Sequence, residues 1–217
     1  MSTPEPLTAA SPQAPPGAEL RDQPSALDVI RSRRSISRLG PPAPSPADLA
    51  TMLEAAACAP DHGSLRPWRF VILDGEAKDR FGPVLADATV RWERDGGREP
   101  DPRKVDKDRT KMDRAPLVVV VACEEQPNPK VPRHEQVAAA VAAAQNLCLA
   151  ATALGYGSMW RTGPNAENPH VKVSLGLRPD DKIVAFVYLG TVSDEQAKPA
   201  NAPSLDGLVR RWFPPER

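Results

Sequence analysis

The sequence predicts a sheet layered between helices, and three kinds of segment carry that reading. Leu117 to Ala122, LVVVVA, is a β-branched run without polar alternation, the pattern of a central strand buried on both faces. Arg69 to Leu73 reads as a shorter apolar strand and Lys182 to Gly190 as a second inner one. His134 to Leu154 is an alanine-dense helix in which Val137, Val141, Cys148 and Leu149 recur at helical spacing. Its small side chains allow close approach of another helix, which suits the middle of a domain or of a dimer. At 217 residues the chain fits one domain with appended segments, long enough to bury a substantial core.

In chain order, Met1 to Pro24 holds Pro4, Pro6, Pro12, Pro15, Pro16 and Pro24 among Ala, Ser and Thr, so it is expected to be disordered or a loosely packed arm. Ser25 and Asp28 have the spacing of a helix N-cap, with Leu27 and Ile30 behind it. That helix runs into Arg33, Arg34 and Ser35, with Arg38 close behind. Fixed positive charge and a hydroxyl at a helix end can grip a phosphate by charge-assisted hydrogen bonds, although a solvated basic patch looks the same in sequence. The rigid PPAPSP connector leads to Ser45, Pro46 and Asp48, a second helix start, after which Leu49, Met52, Leu53 and Ala56 share one face.

The connection from that helix to the first strand is Ala59 to Phe70, APDHGSLRPWRF. Pro60 and Pro67 fix the backbone, Gly63 permits a tight bend, and His62, Ser64, Arg66 and Trp68 crowd the interval. A stiff loop rich in donors suits a planar polar ligand, because its hydrogen-bond geometry is set before the ligand arrives. After the first strand, Asp74-Gly75 turns into a helical segment with Phe81, Val84 and Leu85. Trp92 to Arg114 interleaves both charges, the composition of a solvated loop or surface helix and a candidate lid. The long helix stops at Gly155-Tyr156-Gly157, and SMWRTG follows, a second polar-aromatic patch with Trp160, Arg161 and Thr162 in sequence. Asn168-Pro169 opens another helix, and a Pro-interrupted tail closes the chain.

Composition narrows the chemistry. Twenty-eight basic and twenty-eight acidic residues cancel, which leaves no global field to draw in nucleic acid or an anionic membrane. Cys58, Cys123 and Cys148 form no CxxC pair, and with no basic-then-apolar leader and no apolar run of about 20 residues the expectation is a soluble cytoplasmic protein. GxGxxG after a strand, GxxxxGK, HExxH and GxSxG are all missing, so Rossmann, P-loop, zincin and α/β-hydrolase readings lose their support. His62, His134 and His170 are scattered without a ligand cluster, so no metal is expected. Cys58 and His62 could pair as a nucleophile only across the helix-breaking Pro60.

The order of these pieces is informative as a whole. A helix ending in RRS, APDHGSLRPWRF, the buried strands, KVPRHEQ with its Ala-rich helix, GYGSMWRTG and DKIVAFVYLGT together resemble the nitroreductase family, its small bacterial members most closely, over about Ala26 to Val192. The resemblance implies an α+β protein with a three-layer α-β-α fold: a central, mostly antiparallel sheet flanked by helices, in an intertwined homodimer. It implies residues 25–192 as an FMN-binding domain; outside it lie the arm, 1–24, and 193–217, an extension expected to pack on the partner subunit. The cofactors implied are FMN, with NADH or NADPH as electron donor. The FMN-binding residues implied are Arg33, Arg34 and Ser35 for the phosphate, ribityl chain and ring edge. Cys58, Pro60, His62 and Ser64 are to contribute from across the interface, and Trp160, Arg161 and Thr162 from the patch after the glycines. Many members carry Ser-Ser-x-Asn-x-Gln before Pro-Trp where this chain has Asp61 to Arg66. No side chain is expected to act as a general base. The implied activity is ping-pong hydride transfer from NAD(P)H through the flavin to a nitroaromatic, a quinone or a similar small acceptor. An offshoot using flavin for oxidation, dehalogenation or ring fragmentation, or a flavin-binding interaction protein, is the alternative.

Overall fold

The computed structural model describes residues 24–193 and 204–212. The proline-rich arm and parts of the C-terminal extension, including its last residues 213–217, therefore lie outside the described residues. Local signals set the early helices. Ser25 caps α1 (Ala26–Ser32) and Ser45 caps α2 (Pro46–Ala57), each hydroxyl accepting from the backbone N–H three residues on, with Pro46 at the start of α2 where no N–H is needed. Cys58 caps the end of α2, and Pro60 stops any continuation.

Four strands form one antiparallel sheet in the order β1-β2-β4-β3: β1 (Trp68–Asp74), β2 (Leu117–Cys123), β3 (Gly157–Arg161) and β4 (Lys182–Gly190). Every residue of β2 is buried, and the sequence's lack of alternation has a direct cause. Val119 and Val121 belong to the core beneath α2 and α5 (Arg133–Ala153), while Val118, Val120 and Ala122 belong to the core beneath α3 (Gly75–Asp95). Both faces are covered, so both phases of the strand must be apolar. β4 behaves alike, with Val187 and Leu189 on the α5 side and Phe186 and Tyr188 on the other.

α5 lies against the sheet through Ala139, Ala140, Ala143, Ala144, Leu147, Cys148 and Ala151, all buried, and α2 packs along it, Asn146 Nδ2 donating to Ala55 O at 3.2 Å. By length and composition this helix is apolar enough to cross a bilayer, which corrects the expectation that no segment is. The sequence reading missed it because alanine counts as apolar while adding little area. Its packing between α2 and the sheet makes it a core helix.

The charged stretch from Trp92 to Arg114 is largely exposed and helical, as a surface helix should be: it supplies the last turn of α3, then α4 (Pro102–Arg109) and a 3₁₀ turn at Lys111–Arg114. Glu93, Asp108 and Met112 are buried within it. The α3–α4 contact is close because Gly82 has no side chain; a Cβ there would sit 2.1 Å from the Arg109 carbonyl oxygen. After β3 come two short helices, α6 (Pro164–Glu167) and α7 (Pro169–Ser174), the second capped by Asn168, which bonds the His170 N–H.

Candidate functional site

The residues singled out in the sequence fall into two groups. Arg33, Arg34 and Ser35 leave the end of α1 and join the free edge of β3: Ser35 forms a parallel bridge with Ser158, and Ile36 N donates to Ser158 O at 3.0 Å. The RRS segment and the SMWRTG patch, distant in sequence, are thereby adjacent. Arg34 Nη1 donates to the backbone oxygens of Arg31 at 2.8 Å and Arg33 at 2.6 Å, while its Nη2 is buried with no partner. Burial raises the pKa of the Cys148 thiol, and Ser158 and then the charge of Arg33 draw it partly back. Trp160 turns toward the α5 side of the sheet and donates from Nε1 to Val184 O at 3.1 Å.

Arg161, next along β3, lines a cavity of about 520 Å³ on the opposite face of the sheet, between β3 and the α3–α4 wall. Tyr188 lies at its floor, its hydroxyl pushed up to about 12 by burial and drawn back partly by the charges of Arg161 and Arg114. Asp108 is held on the wall by Thr89 Oγ1, which donates to Oδ2 at 2.6 Å, and by an ion pair between Oδ1 and Lys111. Thr162 also lines the cavity, and Trp92 and Lys107 are exposed residues of its wall. Of the five cationic side chains on the wall, Lys104 pairs with Glu93 and Lys111 with Asp108. Lys107, Arg114 and Arg161 have no ion-pair partner among the described residues. A cavity this basic in a chain of zero net charge suits an anionic, planar ligand. The sequence reading did not single out Lys104, Lys107, Asp108 or Lys111, though a signal was there: lysines 104, 107 and 111 repeat at the i, i+3, i+7 spacing of one helix face.

Cys58, Pro60, His62 and Ser64 form the second group, and all four are exposed. Their loop is held by its own bonds. Asp61 Oδ2 accepts from Arg66 N at 2.6 Å, and Gly63, Ser64 and Arg66 take φ values of 76°, 52° and 47°. Left-handed backbone at the non-glycine pair is uncommon and stores strain of about 1–3 kcal/mol per residue. His62 Nδ1 is 2.6 Å from Glu135 Oε2 in the first turn of α5. Arg33 of the first group lies within charge range of Cys148 on the same helix, thirteen residues further along, about 20 Å by helix rise. One chain thus places the two groups at separate points along α5.

The α3–α4 wall has a pH-sensitive tie. Glu93 accepts from Arg98 Nε at 2.6 Å and is ion-paired to Lys104 Nζ. The Lys104 ammonium, then the Arg98 guanidinium, hold the Glu93 carboxyl below its ordinary value of 4.5. A carboxyl depressed in the fold stabilises it above the unfolded value, and that contribution is lost as pH falls through the depressed one. Residues 96–101 should therefore gain amide exchange relative to the sheet below about pH 4.5; equal protection of both down to pH 3 would refute this role for Glu93.

Known proteins share this fold and much of this sequence. The nitroreductase family profile matches residues 30–191. YdjA of Escherichia coli (strain K12), provisionally named an NAD(P)H nitroreductase, is 39% identical over 184 residues, covering 85% of this chain and 97% of its own. A provisionally named NAD(P)H nitroreductase of Haemophilus influenzae is 35% identical over 167 residues, 76% of this chain and 88% of its own. Among solved structures, a nitroreductase-like family protein of Bacillus cereus superposes with a TM-score of 0.72 at 25% identity, covering 87% of this chain and 96% of that one. A Desulfovibrio desulfuricans protein solved with FMN shares the fold with a TM-score of 0.66 at 24% identity, covering 88% and 99%.

Proposed function

This chain belongs to the nitroreductase family, and from that membership we propose that it is an FMN-dependent NAD(P)H oxidoreductase acting on nitroaromatics, quinones or similar small acceptors. The observation that carries the proposal is the bridge between Ser35 and Ser158, which joins the RRS segment, with its unpartnered Arg34 Nη2, to the strand whose Arg161, with its unpartnered Nε, lines a basic cavity. These residues fit a phosphate and a ring edge that gains negative charge on reduction, the two parts of FMN that a guanidinium would favour. Arg33, Arg34 and Ser35 would hold the phosphate end and the ring edge, and Trp160, Arg161 and Thr162 would line the ring.

FMN would supply reversible hydride chemistry, so that NAD(P)H and then the acceptor react in turn in one slot. The protein's own groups bind, orient and set charge. Fixed guanidinium groups favour the added negative charge of a reduced ring. Trp160 keeps its indole fixed through Val184, so the strand end that carries Arg161 is rigid. Cys123, pushed up to about 11 by burial, and Cys148, also raised by burial, stay protonated near neutrality and act as packing rather than as nucleophiles.

The separation of the two residue groups along α5 supports a homodimer in which Cys58, Pro60, His62 and Ser64 face the flavin held by the partner. Residues 25–192 would form that domain, with 193–217 packed on the partner, and the cytoplasm is the compartment proposed. The test is the visible absorption spectrum of the purified protein, before and after NADH or NADPH is added without oxygen, alongside sedimentation. A flavin spectrum bleached by one nicotinamide, on a dimer, is the expected result. A colourless protein that also fails to take up added FMN would overturn it.

A further inference from the structure

The structure assigns to Asn165, a residue that neither motif nor family likeness singles out, a ligand-recognising role in the cavity, where it and Arg161 donate to an anionic, oxygen-bearing edge of the bound planar ligand. The inference rests on the reading of that cavity as the redox site and deepens it.

Two asparagines stand near the mouth of the β3 strand, and the contrast between them carries the argument. Both are buried, with 7% of their surface exposed. Asn168 uses both ends of its amide: Nδ2 donates to Ala88 O at 3.3 Å and Oδ1 accepts from His170 N. Its role is structural. Asn165 lines the same cavity, yet its Nδ2 has no partner, and neither has Arg161 Nε four residues earlier. A buried donor left unpaired is unfavourable in a folded protein, so an orphan on a cavity wall points to a ligand atom that satisfies it.

Backbone geometry holds the pair in place. Gly163, between them, has φ 108° and ψ −171°, a region open to glycine alone, and Ala166 N closes the turn onto Gly163 O at 2.9 Å. The uncompensated charges of Lys107, Arg114 and Arg161 fix the sign of the ligand edge. An amide donor beside a guanidinium fits an ionised imide or a carboxylate. Two sources present that chemistry: the ionised carbonyl edge of a reduced flavin, and the carboxylate of an aromatic acceptor.

Asn165→Asp replaces the donor with a negative charge at nearly constant shape, and Asn165→Ser keeps a donor if the first variant folds poorly. Each is compared with the parent protein in melting temperature, FMN affinity by fluorescence quenching of the apoprotein, midpoint potential of the bound flavin, and KM for 4-nitrobenzoate against neutral 4-nitrobenzyl alcohol. If the flavin is the partner, Asn165→Asp weakens FMN binding by about tenfold or more and makes the potential more negative. If the acceptor is the partner, FMN affinity holds while KM for 4-nitrobenzoate rises about tenfold and that for the alcohol does not. Unchanged FMN affinity, potential and both KM values in a variant that folds would overturn the assignment. Parent protein that takes up no FMN would instead overturn the flavin reading itself.

Discussion

Arg34→Ala is expected to weaken FMN binding by about ten- to a hundredfold, the loss of one or two charge-assisted hydrogen bonds of about 1.5–3 kcal/mol. Arg34 is the sharper choice of the two arginines because its own backbone already holds it. Nη1 is committed to the Arg31 and Arg33 carbonyls, so the fork needs no reordering, and the buried Nη2 is left to a ligand. The same geometry limits the structural penalty. The bonds lost lie within one turn at the end of α1, so stability should fall by no more than about 1 kcal/mol. Titration of the apoprotein with FMN, beside thermal melting, separates the two effects. Arg34→Lys should fall between, since it retains charge without the planar fork. Full FMN affinity in Arg34→Ala would remove this residue from the site.

Gly82→Ala should lower stability by about 2–3 kcal/mol, a fall in Tm of about 5–10 °C for a chain of this size. Alanine is the better helix former by about 1 kcal/mol, so propensity alone predicts the opposite sign. Geometry decides: the new Cβ would stand 2.1 Å from the Arg109 carbonyl oxygen, and backbone cannot rotate aside. α4 must move away from α3, carrying Lys104, Lys107 and Asp108 with it, so FMN affinity should fall as well. Gly157→Ala is the comparison, because its nearest neighbours are side-chain methyls of Leu39 and Val192 at 2.4 and 2.6 Å rather than backbone, so it should cost less than Gly82→Ala. A Gly82→Ala protein that melts at or above the parent temperature would show that α4 is not held as described.

The sequence by itself determined the helix starts, the buried strands and the family. Ser25, Ser45 and Asn168 are caps whose hydrogen bonds are local, and the LVVVVA run shows its two-sided burial directly. The RRS and WRT motifs were legible for the same reason, since each is a short run with its chemistry in sequence. Tertiary structure alone decided what joins those runs. The Ser35–Ser158 bridge and the cavity that gathers Asn165 with Lys104, Lys107 and Lys111 depend on contacts between segments far apart in the chain. Trp92 to Arg114 shows why its buried charges were not legible. Charge pattern reports average exposure, but Glu93 and Asp108 are buried because specific partners, Lys104 and Arg98 for one and Thr89 and Lys111 for the other, offset their desolvation. Lys111 is a local partner, three residues from Asp108, but the meetings of Thr89 with Asp108 and of Lys104 with Glu93 are settled by packing, such as the close α3–α4 approach at Gly82.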